Sequence, residues 1–200
     1  MCPRPVKNPD QDQQTRDRII DLAYSAFAKN GYSKTSLQSI ANELGITRPA
    51  LYYHFASKED LFIEVYDSVE SGTMTDPSAV IGADDEATFK RELEIYFRGI
   101  ASGLRGDDER LRFVAASESV STELPALRQR VAENNVKMLG NLEQIVRRGI
   151  ELGAIDEATD PKAMAAYLSV IVFGVGDVML RHGVVDLDSL WGIVTKSLYA

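Results

Sequence analysis

Cysteine is almost absent from this 200-residue chain, which has only Cys2 near its amino terminus. A disulfide framework of the kind that stabilises many small secreted domains is therefore excluded. Glycine and proline are scarce as well, at 14 and 7 residues, which argues against a collagen-like or linker-type protein. With 44% hydrophobic and 26% charged residues, the composition is that of a globular protein able to bury a substantial core.

Long apolar runs are also missing. The longest extends from Ala163 to Gly176, and it is shorter than the about 20 residues that a membrane-spanning helix requires. The first residues are polar and include prolines, so they lack the apolar segment of a secretory signal. Together with the single cysteine, these absences predict a soluble protein of the reducing cytoplasm with no membrane partner.

The net charge of −8 by itself disfavours binding to nucleic acid. The charges are unevenly distributed, however, because residues 1–60 contain 8 basic and 7 acidic side chains whereas residues 61–200 contain 14 and 23. A nearly neutral first part on an acidic remainder is compatible with a small DNA-binding head on a larger body. A chance distribution of charges is the alternative explanation.

The spacing of apolar residues is helical almost throughout the chain, and no segment has the sustained alternation of a strand. The pattern predicts an all-α fold of about nine helices. Residues 1–14 are polar, and we interpret them as a flexible tail. We expect a three-helix head over residues 15–60 and a helical body over residues 61–200, with a loop from Thr73 to Asp85.

Residues 36–54 have the layout of a helix-turn-helix motif, in which a turn at Gly45 separates two short helices. In the second helix, a rotation of about 100° per residue points Leu51 and Phe55 toward the core. The other side of this helix is then free to enter the major groove of DNA, where Arg48 is able to pair with guanine. A purely structural corner is the alternative, because two helices often meet at a glycine in all-α proteins.

Residues 18–61 resemble the DNA-binding head of the TetR/AcrR family of bacterial regulators, and they read RIIDLAYSAFAKNGYSKTSLQSIANELGITRPALYYHFASKEDL. The most specific segments are AFAKNGY, SLQSIANELGIT and LYYHFASKEDL. The resemblance continues more weakly into the body, and it implies a homodimer whose two heads bind a palindromic site on double-stranded DNA. By correspondence with the family, it implies DNA contacts at Ser36, Gln38, Thr47, Arg48, Pro49, Ala50, Tyr52, Tyr53, His54 and Lys58. Ala50 departs from the family pattern, which more often has a hydroxyl residue at that position.

The resemblance also implies a ligand cavity in the body. Apolar stripes on the middle helices supply candidate wall residues with aromatic rings and a thioether, which suit adaptable apolar recognition. These candidates are Phe97, Phe113, Met138 and Leu142. Plain core packing is the alternative for each of them. Because the acidic body has no basic cluster for a phosphorylated ligand, we expect a small, neutral or cationic, hydrophobic effector.

The apolar helix that begins after Asp160 carries small residues, which permit helices to approach closely. With the helix around Trp191 it is predicted to form the seam between two subunits. The candidate interface residues are Ala166, Ser169, Phe173, Gly174 and Trp191. A central helix buried inside one chain is the alternative.

Catalytic and metal sites have little support in the sequence. There are two histidines, one of them in the motif, and no His/Cys cluster has the spacing of metal ligands. No glycine-rich phosphate-binding loop occurs either, so we predict no catalytic residue, metal or cofactor. The sequence thus predicts a ligand-responsive transcriptional regulator, most simply a repressor. The alternatives are an all-α small-molecule-binding or scaffold protein whose head no longer binds DNA, and an enzyme.

Overall fold

The computed structural model describes residues 9–73, 75–102, 108–182 and 186–199. Within these ranges every regular element is an α-helix, which confirms the predicted all-α fold. Ten helices follow one another along the described ranges: α1 (Pro9–Asn30), α2 (Leu37–Leu44), α3 (Arg48–His54), α4 (Lys58–Thr73), α5 (Ser78–Ile81), α6 (Glu86–Ser102), α7 (Asp108–Ser121), α8 (Pro125–Glu151), α9 (Pro161–His182) and α10 (Leu187–Leu198).

The prediction of about nine helices missed α5, which lies in the segment predicted to be a loop. A single helical turn is too short to display a period of 3.6 residues. Val80 is 1% exposed and packs into the core of the body. The Ser78 amide donates a hydrogen bond to Asp76 Oδ1 at 2.9 Å. Burial of one side chain and a hydrogen bond to the preceding aspartate therefore hold this turn, rather than an amphipathic stripe.

Helix α1 begins at Pro9 rather than at Thr15, so the prediction of a tail was wrong for residues 9–14. The rest of the predicted tail, residues 1–8, lies outside the described residues. Proline is well tolerated in the first turn of a helix, because its missing N–H would have no intrahelical partner there. The two aspartates of this turn also favour a helix amino terminus. The extension is polar all round, and hydrophobic periodicity therefore does not reveal it.

The first hydrophobic cluster forms the core of the head. Its centre includes Phe27 of α1 and Phe62 of α4, whose ring centres are 4.9 Å apart. Phe113 of α7 and Leu127 of α8 belong to the same cluster, and both are 0% exposed. The head core therefore continues into the body across the predicted boundary at residue 60.

The second cluster is the core of the body, and it is formed mainly by α6, α8, α9 and α10. Its packing is closest at Gly149 of α8. A Cβ atom at this position would lie 2.6 Å from Ile155 Cδ1 and 2.7 Å from Phe89 Cζ. Since real carbon atoms do not approach so closely, glycine is required here for α8 to meet the start of α6 and the turn after α8.

Candidate DNA-binding surface and effector cavity

The helix-turn-helix consists of α2 and α3, and each begins with a side-chain cap. Ser36 Oγ accepts a hydrogen bond from the Ser39 amide at 3.0 Å, and Ser39 Oγ accepts one from the Ser36 amide at 3.3 Å. Thr47 Oγ1 likewise accepts from the Ala50 amide at 3.3 Å. Between the helices, Gly45 has a φ of 68°, which glycine adopts without strain. These features stabilise helices that would be marginal in isolation.

Helix α3 exposes one face and buries the other, as its sequence predicts. Leu51 is 0% exposed, whereas Tyr52 and Tyr53 are 40% and 56% exposed. Arg48 is exposed at the first turn, and its Nη2 donates a hydrogen bond to the Tyr52 hydroxyl at 3.1 Å. The predicted contact residues Ser36, Gln38, Thr47 and Pro49 are exposed too, and Ala50 is half-buried. The outward face thus presents charged, hydroxyl and apolar groups together.

A groove of about 560 Å³ lies between α3 and the amino-terminal ends of α2 and α4. It brings together half of the predicted DNA-contact residues, namely Ser36, Gln38, Arg48, Tyr52 and Lys58. The predicted contacts Thr47, Pro49, Ala50, Tyr53 and His54 are not among its lining residues. Helix amino termini attract anions through their N–H groups and their partial positive charge. With a guanidinium and an ammonium group in its walls, this groove suits a phosphate group.

Two of the predicted contact residues are held inside the head more firmly than the sequence indicates. Lys58 Nζ donates hydrogen bonds to the carbonyl oxygens of Tyr32 and Thr35 at 3.0 and 3.1 Å. An ammonium group has three N–H donors, and these contacts use two of them. The side chain of His54 is 8% exposed, and its Nε2 lies 3.8 Å from Asp12 Oδ1. These partners are distant in sequence, so the motif pattern gives no sign of them.

Ser57 and Thr35 also line the groove, although neither is among the DNA contacts predicted from the sequence. Ser57 Oγ accepts a hydrogen bond from the Asp60 amide at 3.0 Å, as the Ser-x-x-Asp capping pattern indicates. The position of Ser57 at the start of α4 can therefore be predicted from the sequence. Thr35 is 4% exposed, and its Oγ1 donates to the Gly31 carbonyl at 2.9 Å. No comparable sequence pattern identifies Thr35.

A small apolar cavity of about 40 Å³ lies between α6, α9 and α10. Its lining residues are Phe97, Arg98, Ile100, Ile171, Val172, Val175, Leu187, Leu190, Trp191 and Val194. Only Phe97 of the predicted wall residues is among them. Phe113 instead packs in the head core, with its ring centre 5.2 Å from that of Phe62. Leu142 is buried in the body core and Met138 packs against it. An apolar stripe predicts burial, but it does not distinguish a cavity wall from solid core.

One charged side chain, Arg98 of α6, is among the residues that line this cavity. Its Nε is 2.7 Å from Glu94 Oε1, and its Nη1 is 2.7 Å from Asp188 Oδ1. The second ion pair connects α6 to the first turn of α10. Because the side chain of Asp188 is 80% exposed, solvent screens this pair. The remaining lining residues are apolar, so the cavity suits a hydrophobic molecule.

An apolar face is exposed on α9 and α10. Val170 and Phe173 of α9 are 69% and 49% exposed, and Ile193 of α10 is 59% exposed. The Tyr167 hydroxyl donates to Ser197 Oγ at 3.3 Å, which joins the two helices along this face.

Of the predicted interface residues, Ala166 and Phe173 are exposed and Gly174 is half-buried. Ser169 is 8% exposed, and Trp191 faces the cavity beside Phe97. Tyr167, Val170 and Ile193 are exposed on the same face, and the sequence pattern did not single them out.

A polar cluster connects α4 to α7 and α8. Burial raises the pKa of Glu70 above its ordinary value, while the positive charge of Arg110 acts in the opposite direction. Arg110 Nη2 donates to the Val69 carbonyl at 3.2 Å. Burial also raises the pKa of Tyr66 to about 12, and the Tyr66 hydroxyl accepts a hydrogen bond from Asn134 Nδ2 at 3.5 Å. Polar as well as apolar contacts therefore hold α4 against α7 and α8.

Among the described residues, no helix has the length and hydropathy needed to cross a membrane. In the same ranges, no group of three or more His, Cys, Asp or Glu side chains is arranged to hold a metal ion.

The chain is similar in sequence to bacterial regulatory proteins. The family described as "Bacterial regulatory proteins, tetR family" matches residues 19–65, which include α2, α3 and the start of α4. The regulator AcrR of Shigella flexneri is 45% identical over 65 residues, which cover 32% of this chain and 30% of that protein. The fatty acid metabolism regulator protein of Bacillus subtilis is 30% identical over 143 residues, or 72% of each chain.

Solved structures agree in fold over nearly the whole chain. SmeT in complex with triclosan has a TM-score of 0.77 at 23% identity, covering 92% of this chain and 90% of that chain. NalD, the secondary repressor of the MexAB-OprM multidrug efflux pump in Pseudomonas aeruginosa, has a TM-score of 0.74 at 21% identity, covering 95% and 98%. Together with the relative that matches over 72% of both chains, the helix-turn-helix identifies this chain as a member of the TetR/AcrR family of DNA-binding transcriptional regulators.

Proposed function

We propose that the protein is a transcriptional repressor that binds a palindromic operator as a homodimer and leaves it when a small hydrophobic molecule binds. The observation that carries the DNA-binding part is the outward face of α3, where Arg48 and Tyr52 are held together beside a polar groove. The proposed DNA contacts remain Ser36, Gln38, Thr47, Arg48, Pro49, Ala50, Tyr52, Tyr53, His54 and Lys58.

These contacts divide into two kinds. Arg48 stands at the amino-terminal end of α3, where a guanidinium is able to pair with the N7 and O6 acceptors of guanine. The groove beside it, with Lys58 and the amino-terminal ends of α2 and α4, suits the DNA backbone. Phosphate contacts fix the register of the head, and base contacts supply the sequence preference.

The exposed apolar face of α9 and α10 supports the homodimer. Side chains such as Val170 and Phe173 would lose water contact in an interface between two copies of the chain. A symmetric pair of subunits uses the same surface twice, so one apolar face suffices for a two-fold dimer. Two heads related by this symmetry match the two halves of a palindrome.

The cavity between α6, α9 and α10 supports a hydrophobic effector. Apart from Arg98 its lining is apolar, and it contains the paired rings of Phe97 and Trp191. Its volume of about 40 Å³ would have to increase for an organic molecule, so ligand binding would move helices that also form the proposed dimer face. A ligand that binds better to the moved arrangement would then release DNA, because only differential affinity shifts an equilibrium.

A repressor of this kind acts on chromosomal DNA, so we infer that it works in the cytoplasm and needs neither catalysis nor a cofactor. The descriptions of two similar proteins support the direction of regulation: the structural neighbour NalD is a secondary repressor, and a relative in Escherichia coli (strain K12) is a "Probable acrEF/envCD operon repressor". The proposed effector is a small hydrophobic molecule, neutral or cationic.

Selection of bound sequences from random DNA duplexes tests the DNA-binding part. We expect an enriched palindrome and an affinity that falls steeply with salt, because phosphate contacts release counterions. Recovery of no enriched sequence would favour the alternative of a small-molecule-binding protein whose head does not bind DNA.

A thermal-shift screen of hydrophobic compounds tests the effector part. A ligand at about 100 times its dissociation constant should stabilise the fold by about 2.7 kcal/mol. Val175→Phe, which fills the cavity, should abolish the shift. Val136→Phe is the matched control. It should leave the thermal shift unchanged, because Val136 is 71% exposed on α8. An undiminished shift in Val175→Phe would locate the effector elsewhere.

A further inference from the structure

Arg16 of α1 connects the carboxyl end of α3 to α4. Its Nη1 donates a hydrogen bond to the His54 carbonyl oxygen at 3.2 Å. Its Nη2 lies 2.8 Å from Glu64 Oε2, and the guanidinium carbon is 4.5 Å from the centre of the Phe55 ring. One side chain therefore contacts the last residue of α3, the residue after it, and a carboxylate of α4.

The position of these contacts matters because α3 is only seven residues long. So short a helix gains little stability from its own hydrogen bonds, and external contacts fix its orientation. The last carbonyl groups of a helix have no intrahelical partner, and a positive side chain beside them is favourable. The planar guanidinium of Arg16 is able to hydrogen-bond in two directions while it lies over an aromatic ring.

A second residue of α1 meets the same end of α3. Asp12, one helical turn before Arg16, has its Oδ1 atom 3.8 Å from His54 Nε2. The carbonyl group and the ring of His54 are thus both in contact with α1. Neither Asp12 nor Arg16 lines the groove beside Arg48. The first turns of α1 therefore hold α3 from outside the groove that we assign to DNA.

We propose that Arg16 is a positioning residue for DNA recognition. By holding the carboxyl end of α3 against α1 and α4, it sets the angle at which Arg48 and Tyr52 meet the bases, and it does not itself contact DNA. The inference rests on the operator binding proposed above. Without the contacts of Arg16, α3 as a whole is able to tilt, so its contacts to several base pairs weaken together.

The test compares operator affinity at several salt concentrations for the wild type, Arg16→Gln, Arg16→Lys and Arg18→Gln. Arg18 is exposed on the same helix, so its variant is the control for the change in charge. We expect Arg16→Gln to bind about tenfold more weakly, since hydrogen bonds to charged groups are lost. Discrimination should fall at several base-pair positions, while the salt slope stays unchanged because no phosphate contact is removed. Arg16→Lys should recover part of the affinity, and Arg18→Gln should match the wild type.

Wild-type affinity in Arg16→Gln would overturn the inference. A salt slope reduced by about one would overturn it as well, because that change marks a lost phosphate contact. Circular dichroism checks the fold of each variant. If Arg16→Gln is not helical at the assay temperature, the folded Arg16→Lys protein is used instead. Wild-type affinity in Arg16→Lys, or a salt slope reduced by about one, would then overturn the inference. A wild-type protein that binds no duplex would contradict the proposed function, and this inference with it.

Discussion

The Nη2 atom of Arg48 lies 3.1 Å from the hydroxyl oxygen of Tyr52, and the Arg48 guanidinium carbon is 5.2 Å from the centre of the tyrosine ring. The two residues are one turn apart on α3. Tyr52 therefore favours one orientation of the Arg48 side chain before DNA binds. A side chain that is ordered in advance loses less conformational entropy when it binds. We therefore expect that Tyr52 contributes to DNA recognition partly by orienting Arg48.

The first prediction concerns this pair. Arg48→Ala should weaken operator binding by about 1–3 kcal/mol and relax the preference at one base pair. Tyr52→Phe should weaken it less, and its effect should shrink when Arg48 is already alanine, because the two residues act together. Tyr53→Phe is the control, since its effect should add to that of Arg48→Ala. Binding measurements on operators with single base-pair changes check all three. Unchanged affinity and base preference in Arg48→Ala would rule out its assigned role.

Lys58 gives the second prediction, in which stability and DNA binding change together. Lys58→Ala removes two hydrogen bonds to the carbonyl groups of Tyr32 and Thr35 and should lower the free energy of unfolding by roughly 1–3 kcal/mol. It should also weaken binding to all DNA sequences alike and reduce the salt slope. Lys34→Ala is the control, because Lys34 is an exposed lysine of the head. Urea unfolding and salt-dependent binding check the two effects. A variant of unaltered stability would show that the carbonyl contacts contribute little.

Arg48 and Lys58 show which features of the site can be predicted from the sequence and which cannot. The outward position of Arg48 follows from helical periodicity, because Leu51 and Phe55 can only point into the core. The inward hydrogen bonds of Lys58 do not follow, since they depend on how the end of α1 and the next turn are placed. The same holds for Arg16, whose contacts reach across 38 residues to His54. Local patterns fix the faces of helices, whereas contacts between distant segments need the assembled fold.

The body illustrates the same limit. The stripes that contain Phe97 and Phe113 look alike in sequence, yet Phe97 lines the cavity and Phe113 lies in the head core. Burial was predictable for both residues. The void beside Phe97 was not, because it depends on how α6, α9 and α10 fit together.

The third prediction tests the apolar face of α9 and α10. Phe173→Glu should convert dimers to monomers and thereby weaken operator binding, since a buried unpaired charge is costly and a single head makes few contacts. Phe173 is 49% exposed in the single chain, so the change should leave the fold intact. Val136→Glu is the control, because Val136 is 71% exposed and belongs to α8, whereas the predicted interface residues belong to α9 and α10. Sedimentation velocity checks the oligomeric state. If Phe173→Glu still forms dimers, the interface lies elsewhere on the chain.

Two glycines of α8 supply the fourth prediction. Gly149→Ala should destabilise the fold by about 1–3 kcal/mol, because the new methyl group would overlap Ile155 and Phe89. Gly140→Ala is the matched control, since no atom lies within 4 Å of a Cβ there. It should stabilise the helix by up to about 1 kcal/mol, as alanine favours helices more than glycine does. Thermal unfolding checks both. Equal effects of the two substitutions would contradict the close packing at Gly149.

The last prediction concerns the pH dependence of stability at Glu70. Burial raises the pKa of this carboxyl group in the folded protein, whereas the unfolded chain keeps its ordinary value of 4.5. Between pH 4.5 and the folded pKa, the folded state therefore binds more protons than the unfolded state. By linkage, the contribution of Glu70 to stability is fully present below about pH 4.5 and is lost as the pH rises through the folded value. Glu70→Gln, which does not ionise, should thus be more stable relative to the wild type at pH 7 than at pH 4. The positive charge of Arg110 opposes the shift, so the pH-dependent effect of Glu70→Gln should be larger when it is measured against the Arg110→Gln variant than against the wild type. Urea unfolding at the two pH values measures the difference, and a difference of the opposite sign would mean that ion pairing with Arg110 outweighs burial.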